Sequence, residues 1–134
     1  MDIKVLKVGI VSCSGEALPE GTVSRVASRK VLDELRPGQT VTICLPLFIA
    51  GGKEEREFAS KFPTVTVDGC EKMCAAKSTE KLSGKPAKSL MIKEILKKQG
   101  ISGLKQCRGL GPAEKVASDV VADEIAKAVD EALE

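Results

Sequence analysis

Two cysteines stand four apart in VDGCEKMC, residues 67–74, directly after an apolar alternating run. Three more are scattered along the chain, at Cys13, Cys44 and Cys107, and there is no histidine. Thiolate sulfur is both a nucleophile and a ligand, so five thiols without an imidazole narrow the chemistry. Four thiolates repel one another unless a cation lies between them, and Zn²⁺ with sulfurs at about 2.3 Å satisfies such a set tetrahedrally. An iron–sulfur cluster also takes four cysteines, although the usual clustered ligand run is missing. A third alternative is a thiol redox enzyme, with Cys13 or Cys70 as nucleophile and Cys74 or Cys107 as the resolving thiol. Other thiol chemistries are excluded. A phosphatase loop needs an arginine beside its cysteine, and CSGEALPE has none. A Cys–His pair is impossible here, and the spacing is CxxxC rather than the CxxC of thioredoxin-type proteins.

The elements that would gather these thiols follow from the hydrophobic pattern. Ile3 to Ser12 reads as a central parallel strand, β-branched and continuously apolar near its end. Thr22 can cap a helix running to about Leu35, stopped by Arg36-Pro37-Gly38. Thr40 to Leu45 reads as a second strand, Lys53 to Lys61 as a short helix and Thr64 to Val67 as a third strand. Asp68-Gly69 turns the chain, and Cys70 is expected to begin the next helix. SLMIKEILKKQG reads either as one helix ended by Gly100 or as a short strand, Ser89 to Ile92, running into a helix, and the second is favoured because it continues the alternation. Pro112 suits the first turn of a long last helix through Leu133, with Val116, Val120, Ile125, Val129 and Leu133 facing inward. Repeated β-then-α units imply one α/β domain over residues 1–134. It is a three-layer arrangement, a mostly parallel sheet of about four strands with helices on both faces.

Functional groups in such sheets collect beyond the carboxyl ends of the strands. Cys13 follows the first strand, Cys44 closes the second and Cys70 lies just past the third. Neighbouring strands lie about 4.8 Å apart, so three strand-end thiols can converge. A helix beginning at Cys70 would put Cys74 on the same face one turn later. Cys13, Cys44, Cys70 and Cys74 are therefore the candidate metal ligands, with Cys107 as a fifth. Asp68 reads as a helix cap or turn residue, or as an acceptor behind the metal.

The chain has 134 residues, 43% of them hydrophobic, with Phe48, Phe58 and Phe62 as its only aromatics. The core is expected to be aliphatic and needs no disulfide staples. No apolar run approaches the roughly 18 residues of a membrane span. The opening MDIKVLKVGI lacks the features of a signal peptide, so a cytoplasmic location with reduced thiols is expected. Charge is uneven. Residues 72–108 carry ten basic and two acidic side chains, and residues 109–134 carry two basic and seven acidic. The basic block has no aromatic for base stacking and one arginine, Arg108, so nucleic-acid binding ranks last. The block reads as a solvated face partly neutralised by the acidic tail.

Cys-Ser-Gly at 13–15, Cys-Leu-Pro at 44–46 and Asp-Gly-Cys with a further cysteine at 68–74 come in the order found in the DGC-domain family. Over about residues 8–80 the chain resembles that family, which is named for the Asp-Gly-Cys tripeptide. Zinc binding has been attributed to it because of its cysteines. The resemblance implies a zinc-ligand role for Cys13, Cys44, Cys70 and Cys74 and implies no particular reaction. A metal-sensing, storage or delivery role suits a domain whose core does not need a metal to fold. The sequence departs from the family where Cys-Ser-Gly continues as EALPEG instead of a polar stretch with Asn.

Overall fold

A computed structural model describes residues 7–13 and 17–134. The early part of the first strand and Ser14-Gly15 of the Cys-Ser-Gly tripeptide lie outside the described residues. Four strands form one sheet: β1 (Val8–Ser12), β2 (Thr40–Thr42), β3 (Thr64–Asp68) and β4 (Lys88–Met91). Their order is β2-β1-β3-β4 and every pairing is parallel, with Val8 opposite Thr40, Ile10 opposite Val65 and Val67 opposite Leu90. Among the described residues seven α-helices connect and flank them: α1 (Pro19–Lys30), which continues as a π-helical turn over Val31–Leu35, α2 (Pro46–Ala50), α3 (Lys53–Arg56), α4 (Phe58–Lys61), α5 (Cys74–Leu82), α6 (Ile92–Lys98) and α7 (Pro112–Leu133). The α/β class, the sheet and its strand count agree with the expectation.

Alternation along the strands builds a core on each face. Val8, Ile10, Val65 and Val67 point to one side, where they meet Val23, Ala27 and Val31 of the α1 region, Ile92 and Leu96 of α6, and α7. Val11 and Cys13 point to the other, against Phe48, Phe58 and Ala75. The second core is not purely aliphatic. The three phenylalanines, all between residues 48 and 62, gather on this face, with ring centroids 6.4 Å apart for Phe48–Phe58 and 5.3 Å for Phe58–Phe62. Phe58 lies directly on the β1 backbone, so a Cβ at Gly9 would come within 2.5 Å of its ring. Gly9→Ala is therefore expected to destabilise the fold by about 1–3 kcal/mol, the usual cost of overpacking, read as a lower denaturant midpoint at unchanged slope.

Several boundaries differ from the sequence reading for identifiable reasons. α1 starts at Pro19, where the missing N–H costs nothing. Thr22 is thus inside the helix, its hydroxyl donating to the Cys107 carbonyl instead of capping. β2 stops at Thr42, and the Cys44 carbonyl accepts from Leu47 N–H at 3.0 Å in the turn into α2. The expected helix over 53–61 is split into α3 and α4. On α7 the buried line is Ala117, Val121, Ala122, Ile125, Ala128 and Val129, whereas Val116 is 56% exposed. The alanines let α7 lie close along α1, so shape decides which face is buried, over the mere placement of valines.

The acidic tail does not mainly screen the basic block. Asp119 and Asp130 of α7 pair with Lys30 and Arg36, each at 2.8 Å, and from the block only Lys88 reaches α7, at Glu131, among the described residues. These pairs are exposed, and solvent screens them. They fix the register of α7 more than they add stability.

Candidate metal centre

The site begins with what each residue of Asp-Gly-Cys does locally. α5 has no capping side chain of its own, because its N-cap residue is Met73. Asp68, at the end of β3, takes that role from a distance. Its Oδ1 accepts from Ala75 N–H at 2.6 Å and its Oδ2 from Ala76 N–H at 3.0 Å. Burial pushes the Asp68 carboxyl above the ordinary carboxylate range, and the two N–H groups and Lys77 oppose that shift. Of the two roles foreseen for Asp68, the cap is the one its contacts display.

Gly69 is needed for close approach. A Cβ there would lie 3.0 Å from backbone atoms of Glu20 and Gly21, so the β3–α5 turn packs flush against the start of α1. Gly69→Ala is expected to cost about 1–3 kcal/mol and to separate the two segments, measurable as a lower melting temperature. Gly69 N–H also donates to Cys13 Sγ at 3.2 Å, and Cys13 N–H donates to the Val67 carbonyl at 2.9 Å. Cys13 is thereby fixed to β3 through both its backbone and its sulfur.

The turn between Gly69 and α5 corrects one expectation. Cys70 does not begin the helix. Met73 N–H donates to the Cys70 carbonyl at 3.1 Å in a turn, and α5 starts at Cys74. The cause is Met73 itself, whose backbone is left-handed at φ 51°. Cys70 and Cys74 therefore do not share a helical face. The helix N-terminus is not aimed at a thiol either, because Asp68 holds the N–H groups of Ala75 and Ala76.

The cysteines nevertheless come together around one cavity of about 240 Å³, lined by Cys13, Cys70 and Cys74 with Leu18, Leu45 and Met73. Asp68, Gly69 and Gly21 complete its wall. Cys13 is buried, Cys70 half-buried and Cys74 exposed, so the cavity grades from core to surface. Cys44 is exposed and lines a neighbouring cavity of about 220 Å³, which shares Cys13 and Leu45 with the first. Cys107 lines neither, and its loop is held by Glu114, whose Oε1 accepts from Gln106 N–H at 2.8 Å. Among the described residues, no three Cys, Asp or Glu side chains are already gathered closely enough to hold an ion. Cys13, Cys70 and Cys74 thus line one space without being gathered into a closed set of ligands. Sequence reasoning passed over Met73, although it stands between the two cysteines in CEKMC and carries the one further sulfur in the cavity wall.

A family model of the DGC domain matches residues 9–131. The chain belongs to the DGC-domain family. The match runs well past residue 80 and takes in the tail, where no motif had been recognised. That extent has a structural counterpart, because α7 closes the core under β1 and β3 and its Glu114 anchors the Cys107 loop. No curated protein and no solved structure matches the chain. In this DGC domain the three signature residues divide the work. Asp68 caps α5, Gly69 admits α1, and Cys70 faces the cavity opposite Cys13.

Proposed function

We propose that this DGC domain binds a thiophilic metal ion, Zn²⁺ in the first instance, at the carboxyl ends of β1 and β3. The single observation behind this reading is that Cys13 lines one cavity together with Cys70 and Cys74, which follow it by 57 and 61 positions. The donor set fits such an ion. Its available donors are sulfurs, because both oxygens of Asp68 are committed to backbone N–H groups. Cys44, reached through the adjoining cavity, is the thiol that closes a four-sulfur shell.

The residues have separable tasks. Cys13 is the fixed member, positioned by Gly69 and Val67. Cys70 and Cys74 flank the left-handed turn at Met73. Cys44, on an exposed turn, makes the shell reversible, which suits delivery or sensing better than a permanent structural ion. Binding displaces thiol protons, so affinity falls as pH falls. A reducing, cytoplasmic setting would keep the four thiols available.

Anaerobic titration with Co²⁺ as a spectroscopic stand-in for Zn²⁺ tests the reading. Thiolate-to-metal absorption bands saturating at one equivalent, and removed by Zn²⁺, are expected. Absence of such bands in reduced, folded protein would contradict it.

A further inference from the structure

We propose that the same cavity also takes a soft monovalent ion, Cu(I), with the Met73 thioether as a ligand beside Cys13, Cys70 and Cys74. This rests on the reading of those thiols as a metal-holding set, and it adds a residue and an ion to it.

Met73 is a poor choice for the backbone it occupies. It is the one non-glycine residue at positive φ among those described, at φ 51° and ψ 48°. That conformation is strained for an ordinary side chain and almost free of strain for glycine. Met73 is also the N-cap of α5, where Ser, Thr, Asp or Asn would supply a hydrogen bond and methionine supplies none. Neither local geometry nor capping accounts for it. What it does contribute is a half-buried thioether-bearing side chain in the wall of the cavity that holds three thiols. Strain kept at a ligand-lined site points to function.

The donors select the ion. Thiolate with thioether is the soft combination that favours Cu(I), whereas oxygen ligands suit Mg²⁺, Ca²⁺ or Mn²⁺. The cavity wall is largely apolar, and its one carboxylate is occupied as a cap. Cu(I) also accepts low coordination numbers. It would draw together only sulfur-bearing residues that line this cavity, without recruiting Cys44 from the next one. Zinc would use the four-cysteine arrangement, and Cu(I) the three thiols with Met73.

The test is a pair of anaerobic competition titrations, Cu(I) against a chromophoric Cu(I) chelator and Zn²⁺ against a chromophoric zinc chelator. Wild type, Met73→Leu and Met73→Gly are compared. Met73→Leu keeps the apolar volume. Met73→Gly relieves the left-handed backbone, so a loss of folding cannot explain its result. Wild type is expected to bind one Cu(I) per chain. Both variants should lose roughly tenfold or more of that affinity while zinc affinity is unchanged. Unaltered Cu(I) affinity in both variants, with zinc still bound, would overturn the thioether role and leave the thiol site standing. A wild-type protein that binds neither ion would overturn both.

Discussion

Replacing Cys70 and Cys74 together with serine is expected to weaken Zn²⁺ binding by roughly 100-fold or more, beyond the 10–100-fold that loss of an outer-shell partner typically costs. Serine keeps the size of the side chain and loses the thiolate. Cys74 is exposed and Cys70 half-buried, so the double variant should fold with little change in melting temperature. Cys44→Ser is expected to cost less, about tenfold, because Cys44 must be recruited from the adjoining cavity. Cys107→Ser should have no effect, since Cys107 lines neither cavity. Competition titration of each variant reads the order directly. An equal loss at Cys107 would mean that the loop carrying it closes over the site.

Asp68→Ala is expected to have the largest effect on stability of any substitution in the DGC motif, about 2–4 kcal/mol. It strands two α5 N–H groups, one of them on fully buried Ala75. Melting should begin at the Cys70–Cys74 turn, so metal affinity should fall with stability even though no ligand has been removed. Hydrogen exchange at Ala75 and Ala76 measures the local part.

The carboxyl's titration gives a separate signature in the metal-free protein. Its folded-state pKa is raised, chiefly by burial. The folded state therefore holds the proton more tightly than the unfolded chain does. The proton-linked part of Asp68's contribution, distinct from its hydrogen bonds to Ala75 and Ala76, is fully present below the unfolded value of about 3.9 and is lost as pH rises through the folded value. Asp68→Asn lacks this titration. Its stability relative to wild type should rise with pH across that window and level off above it, as read from urea midpoints at a series of pH values.

The sheet could be read from the sequence because alternation is a local signal. IKVLKVGIVS, TVTICL, TVTV and SLMI each announce a strand, and parallel pairing follows from the helices between them. The strand-end positions of Cys13 and Cys70 followed from the same pattern. What escaped depends on contacts between distant segments. Thr22 reads as a cap because its partner, the Cys107 carbonyl, lies 85 positions away. The aromatic cluster over Gly9 joins three phenylalanines that no local window relates to β1. The late start of α5 turns on a left-handed methionine, a conformation that propensity rules assign to glycine. The same residue hides a fourth sulfur in the cavity, since a methionine between two cysteines reads as ordinary packing.

On the proposed function, thiols distant in the chain share one ion. Elemental analysis of reduced protein, purified without added metal and then given one equivalent of Zn²⁺ and desalted, tests it most directly. The wild type is expected to retain one zinc per chain and the Cys70→Ser/Cys74→Ser variant none. A folded wild type that retains no metal, with all five thiols still freely reactive, would contradict it.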